Sequence, residues 1–428
     1  MTETINQEKN AWSTPRKTLT LFVIFYLLIY MFPEPFKDIP GFSVVVGLYT
    51  QPFDWLVLWF GKSVLGISTL EKITQTGSGD TTFDYVRIVV ILIMAFIATA
   101  LVMSISKRKE YQSWFHLTWI YCRYYLGLFL IVYGFIKLFE GQFPTPYLGR
   151  LEQNYGDSSP MGLMWTFMGA SKAYTFFGGL MEFVAGCLLL FRRTTIAGGI
   201  MAFGVMLNVA IMNYCYDVCV KLFSTHLVLI SIFILSPYLK HLFDFIFLQK
   251  SVQLKIEPLQ FQKKWQTNFR KVSKIALLCL CAIMMGVMYF EAYSEPTNNL
   301  YSKSFNGSYK VLTFIQNRDT LPTSHSDTLQ WSKIIMEDGF MSIRTITDRK
   351  IRFEVKTDTI AQKISITPQE DSTKTYQFDY KRLPNQTVVF KGKMNTDTLE
   401  ITTKQKKKSE YLLNATPFKW ISEYPYNR

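Results

Sequence analysis

Histidine and cysteine, the side chains that most often carry metal and redox chemistry, are scarce here: four histidines and six cysteines in 428 residues. No two cysteines stand in C-x-x-C spacing, which excludes the common zinc-ribbon and dithiol signatures. Cys122, Cys187, Cys279 and Cys281 each sit inside an apolar run, where a thiol packs as a small apolar group. No spacing typical of haem, flavin or iron–sulfur binding is present, so any electron transfer would need a partner protein. Acidic residues are also few, 32 against 46 lysines and arginines, for a formal net charge of +14. That excess does not point to nucleic acid, because the cations cluster beside apolar runs, as in KRK at 107–109 and RR at 192–193.

What the chain has in quantity is apolar length. A hydrophobic content of 49% is too high for one soluble domain and too low for a wholly embedded protein. The division runs along the sequence: long apolar runs end near residue 290, and 296–428 alternates and is rich in Lys, Thr and Asp. A bilayer core of about 30 Å needs about 20 apolar residues of helix. Seven runs approach that length, at 16–33, 85–106, 116–138, 171–191, 195–215, 221–239 and 272–291. The first follows Lys9, Arg16 and Lys17 with no small-residue cleavage site behind it, the pattern of a retained signal anchor. With the N-terminus in the cytoplasm, KRK, RR and the basic stretch from Lys240 to Lys274 all fall on the cytoplasmic side. This predicts a multi-pass protein of a bacterial inner membrane, with the lipid bilayer as its first partner and its C-terminal domain extracytoplasmic. FDWLVLWFGKSVLG (53–66) is too short to span and carries Asp54 and Lys62, so it reads as an interfacial or re-entrant segment.

Beyond Tyr289 the period changes. IRFEVKTDT (351–359) sets Ile351, Phe353 and Val355 on one face and Arg352, Glu354 and Lys356 on the other, as a half-buried strand does. KISIT (363–367), TYQFDYK (375–381), TVVFKGKM (387–394), DTLEITTK (397–404) and SEYLLNAT (409–416) repeat the pattern, and GSYKVLTF and WSKIIME add strands upstream. About eight to nine short strands joined by tight turns predict an all-β domain, either an up-and-down antiparallel barrel or a curved sheet. It contains no catalytic constellation.

Ionisable residues inside spans are functional candidates by default. Arg123 and Lys137 share a face of the third span, about 21 Å apart along its axis. Glu182 lies near the middle of the fourth, too short to reach either interface, and Gly178, Glu182 and Gly186 form an i+4 stripe that predicts a close interhelical seam. The fifth span carries Asn208 and Asn213. NYCYDVCVKLFSTHL (213–227) then places Asp217 four residues before Lys221, the favourable order for a helical ion pair, with His226 a turn deeper. Alternating span direction puts Lys137, Asn213, Asp217, Lys221 and His226 in the outward half of the membrane, where with Glu182 they predict one wall-lined polar pocket or, alternatively, a clamp between helices. Cys215 and Cys219 stand four apart at the same turn and are candidate redox thiols. No metal site is predicted.

Spans three to six resemble the DoxX family of bacterial four-helix membrane proteins. The likeness rests on RYYLGLFLIVYGFIKLFEG (123–141) and GGLMEFVAGCLLLFRRTT (178–195) and covers residues 118–239. It implies a four-helix bundle and carries over Arg123, Lys137 and Glu182 as family-typical positions. Members of that family include a membrane subunit of a thiosulfate:quinone oxidoreductase. The resulting expectation is an α-helical polytopic membrane protein: 1–115 with two spans and an outward loop, 116–240 a DoxX-like bundle, 241–271 a basic cytoplasmic loop, 272–291 a seventh span, and 296–428 the β domain. Three functions compete. The first is a redox-associated subunit binding quinone through Glu182, Lys137 and His226, with a protein partner in the membrane or periplasm. The second is a non-enzymatic envelope carrier or assembly factor whose β domain binds a lipid, peptide or protein. The third is a thiol–disulfide enzyme using Cys215 and Cys219.

Overall fold

The computed structural model describes residues 12–34, 43–73, 77–253, 301–321, 330–416 and 420–421, with scattered positions between 268 and 290. They fall into two compact units, Met1–Gln142 with Ala173–Phe290, and Phe143–Lys172 with Glu291–Arg428. The division does not follow the linear order, because a stretch between two apolar helices folds with the C-terminal residues.

The first unit is helical. It contains α1 (Thr14–Met31), α2 (Ser43–Trp59), α3 (Thr82–Ile105) and α4 (Gln112–Leu138). After α5 (Leu148–Leu151) and α6 (Pro160–Ala170), which belong to the second unit, it resumes with α7 (Lys172–Leu190), α8 (Thr195–Cys215), α9 (Lys221–Leu235) and α10 (Leu239–Ile246). Among the described residues five helices are long and apolar enough to cross a membrane: Thr82–Ile105, Gln112–Leu138, Lys172–Leu190, Arg192–Cys215 and Lys221–Ile246. By helix composition this is a multi-pass membrane protein.

Seven spans were expected, and two of them stand apart. The run at 16–33 becomes α1, an 18-residue helix whose first turn holds Arg16 and Lys17, which shortens its apolar length and leaves it outside the five. The run at 272–291 lies outside the described residues save for single positions. The segment 53–66 continues α2 rather than standing alone; Phe53 and Val57 pack on Val86 and Val90 of α3, while Trp55 and Trp59 remain exposed.

Local chemistry explains the helix ends. Thr81 and Asp84 form a reciprocal capping box at the start of α3, satisfying two backbone donors that a helix leaves open. Leu21, Ile24, Leu27 and Met31 recur at helical spacing, which gives α1 one buried stripe. Leu27 and Met31 of that stripe share a core cluster with α4, where Trp119 donates from its indole to the carbonyl of Ile234 at 2.8 Å, so the ring is buried with its polar atom satisfied.

Among the described residues the second unit has nine antiparallel strands: β1 (Gly307–Gln316), β2 (Asp319–Leu321), β3 (Trp331–Glu337), β4 (Phe340–Thr345), β5 (Lys350–Asp358), β6 (Lys363–Pro368), β7 (Tyr376–Leu383), β8 (Thr387–Met394) and β9 (Asp397–Lys406). Each strand from β3 onward pairs with the next, and β1 pairs with both β3 and β9. That closes an eight-strand up-and-down barrel, with β2 as a short flap hydrogen-bonded to β1. The interior is filled by large side chains, among them Phe314, Trp331, Phe353, Phe378 and Phe390. SEYLLNAT does not form the expected strand: it turns into a short helix, α11 (Leu412–Ala415), because β9 has already closed on β1 and leaves no open edge beside it.

Candidate functional site

The α4–α7 seam is set by glycine. A Cβ on Gly134 would stand 2.7 Å from the carbonyl oxygen of Gly179, and one on Gly186 would stand 2.6 Å from that of Gly127, so the two backbones touch where neither residue has a side chain. The stripe facing α4 is Thr175, Gly179, Glu182 and Gly186, all buried. Gly178, expected in the seam, instead faces open space, because helical positions three and four apart share a face only in part.

Inside this seam Lys137 of α4 donates to Oε1 of Glu182 on α7, an ion pair with both residues buried. The other carboxylate oxygen, Oε2, is buried and accepts no hydrogen bond. Arg123 sits elsewhere on α4. It donates to the Thr195 hydroxyl at 3.4 Å and lies over the rings of Trp119 and Tyr124, which ties it to the start of α8.

His226 belongs to a different cluster. Its Nδ1 is 2.6 Å from the carbonyl oxygen of Leu222, which can only accept, so Nδ1 carries the proton. Nε2 then accepts from the Tyr26 hydroxyl at 2.6 Å, and the Tyr30 ring stacks on the imidazole with centroids 3.8 Å apart. The structure thus gives His226 to two tyrosines of α1, and gives Lys137 and Glu182 to each other. The tyrosines were missed in the sequence because their run reads as an ordinary apolar span.

The turn that opens α9 is held by another residue outside the expected set. Asp80 accepts from the backbone N–H groups of Lys221 and Leu222 at 2.7 and 2.9 Å, which places a carboxylate on the positive end of the helix. Lys221 pairs with Asp217 at 2.7 Å in the expected i,i+4 order, and Asp80 lies 3.8 Å from the same ammonium. Asn213 is buried and Asn208 exposed. Cys215 is exposed, Cys219 half-buried, and both are free thiols. Among the described residues no group of three or more His, Cys, Asp or Glu side chains is placed to hold a metal ion.

A further polar centre lies in the second unit, where α5 meets one end of the barrel. Lys333 and Tyr411 both donate to Glu152. Glu337 accepts from the Leu148 N–H at 2.6 Å and from Lys408 at 3.0 Å. Burial opposes ionisation of Glu152, but the hydrogen bonds from Lys333 and Tyr411 and the charge of Lys333 outweigh it and hold the carboxyl below its ordinary value. Burial, with the Glu152 hydrogen bond behind it, pushes the Tyr411 phenol up. Nothing in the sequence between α4 and α7 marks this docking, since its partners are more than 180 residues away.

No protein-family model matches the chain, and no solved structure matches it. The likeness to the DoxX family therefore rests on the quoted motifs alone. Over 115 residues the chain is 32% identical to the uncharacterized protein YwoB of Bacillus subtilis (strain 168), a match covering 26% of this chain and 71% of that protein.

Proposed function

From the premise that this chain belongs to the family of YwoB, we propose that it is a membrane-anchored binding protein of the bacterial envelope, in which the β-barrel is the working part. The observation that carries this reading is the inserted segment Phe143–Lys172. It folds with the barrel through Glu152 and Glu337, so the barrel is joined to the helical unit by three stretches of chain instead of one. A domain on a single linker needs no such insertion.

Two further observations support it. Lys137 and Glu182 satisfy each other's charge within a glycine-lined seam, as a clamp between helices does. The barrel interior is packed with aromatic and aliphatic side chains, which leaves its ends and outer wall for binding. The basic turns at 107–109 and 192–193 favour the cytoplasm, so the barrel faces outward.

The test is complementation of a deletion strain. Removal of 296–428, or the double change Glu152→Ala with Glu337→Ala, should abolish rescue while Glu182→Gln keeps it. The opposite pattern overturns the reading.

One observation favours a second reading, the quinone-linked redox subunit. Oε2 of Glu182 is a buried acceptor with no donor, a place a quinol hydroxyl would fill. Purified protein should then carry quinone that Glu182→Gln loses; protein free of quinone sinks it.

A further inference from the structure

The end of the barrel that receives α5 also carries an open pocket of about 590 Å³, formed by the segment before β1, the β7–β8 turn and the chain leaving β9. That size lies within the usual ligand-site range of roughly 300–1,000 Å³. Its wall holds four cations, Lys303, Arg382, Lys407 and Lys408, and no carboxylate. Three acids contact its lining residues from the margin, among them Asp338, which accepts from the Asn306 side chain at 3.0 Å. Glu337 pairs with Lys408 and the Leu148 N–H, and Glu410 accepts from Gln386 and the Lys407 N–H.

Arg382 is held in place before any ligand arrives. It donates to the Ser304 carbonyl at 3.2 Å and hydroxyl at 2.9 Å, and its guanidinium lies 4.5 Å from the centre of the Phe305 ring. A fixed guanidinium fork with ammonium groups beside it matches the geometry of phosphate oxygens. Leu383 and Val388 give the same pocket an apolar strip, suited to the organic part of an ester.

We propose that this pocket binds a phosphate ester, with Arg382 as the oriented contact and Lys303 and Lys407 as the surrounding charge. The proposal rests on the reading of the barrel as the binding part and names the chemistry it recognises. A free phosphorylated metabolite and a phospholipid headgroup both present that group.

The test uses full-length protein in nanodiscs of zwitterionic lipid at low ionic strength. Inorganic phosphate and, separately, dihexanoyl phosphatidylglycerol are titrated in and followed by calorimetry. Saturable binding should weaken at least tenfold in Arg382→Gln and in Lys407→Gln. It should stay within twofold in Lys391→Gln, whose ammonium pairs with Glu400 outside the pocket. Lys407 is exposed, so its variant decides the matter even if loss of Arg382 from the Phe305 ring unfolds the barrel. Binding of both ligands assigns the site to the phosphate group itself, of the lipid alone to a headgroup with its chains on Leu383 and Val388, and of phosphate alone to a soluble ester. No saturable binding of either, or an equal loss in Lys391→Gln, overturns the site. If phosphate binds as described while Arg382→Gln rescues the deletion strain fully, the site stands and the barrel is not the working part.

Discussion

At the scale of single residues, the buried Lys137–Glu182 pair sets the sharpest expectation. Removing one member leaves a charge in an apolar seam, which typically costs about 3–5 kcal/mol, whereas replacing both by apolar groups of similar size is often close to neutral. Lys137→Met alone and Glu182→Leu alone should each lower the melting midpoint in detergent sharply, and the double variant should recover most of the loss. Size-exclusion thermostability profiles check this, and harmless single changes would show that the pair is not buried as described. Glu182 was legible in the sequence as a mid-span acid needing a partner. Lys137 was legible as a candidate. Their exclusive pairing was not, because hydropathy gives depth along a span but not rotation about its axis. His226 shows the same limit from the other side: its depth was readable, while its partners Tyr26 and Tyr30 lie some 200 residues upstream in a run that reads as plain anchor.

Elements were easier to read than their contacts. The two-residue period located β3 and β8 to the residue and placed β5, β6, β7 and β9 within a few positions. β4 went unread although Asp338-Gly339, both with positive φ, is the favoured signal for a two-residue hairpin turn. SEYLLNAT went wrong because alternation over a few residues says nothing about whether a sheet edge is free to receive it. The glycine seam yields a contrast at this scale. A methyl at Gly134 would press on the backbone of Phe183 and Gly179, so Gly134→Ala should cost about 1–3 kcal/mol by overpacking, while Gly178→Ala, in open space, should be neutral or slightly stabilising. Equal midpoints for the two variants would contradict the close approach of α4 and α7. The docking of α5 yields a pH dependence. Since the carboxyl of Glu152 titrates below its ordinary value of 4.5 in the folded protein, its contribution is complete above that value and is lost as pH falls through the lowered one. The stability difference between the natural protein and Glu152→Gln should therefore be constant near neutrality and shrink in acid. A difference that grows in acid would reverse the sign and remove the argument.

At the scale of the whole molecule, the inserted segment turns local contacts into a statement about topology. Phe143–Lys172 shares a compact unit with the barrel, so the proposed outward barrel requires the end of α4 and the start of α7 to open to the outside. On that reading α7 takes the chain to the cytoplasmic side at Arg192 and Arg193, α8 returns it, and α9 takes it away again, each being long and apolar enough to cross. The same reading puts the chain near Ser251 on the cytoplasmic side, while residue 301 belongs to the barrel unit. The proposed function therefore requires an odd number of crossings between them, and the apolar run at 272–291, read in the sequence as the seventh span, has the length to supply one. The prediction concerns two exposed serines, Ser251 and Ser372. In a cysteine-free background, Ser372→Cys should react with a membrane-impermeant thiol reagent added to cells with a permeabilised outer envelope, and Ser251→Cys should react only after the inner membrane is broken. Labelling of both from the same side would mean that 272–291 does not cross, and with it would fall the outward placement of the barrel on which the proposed binding function depends.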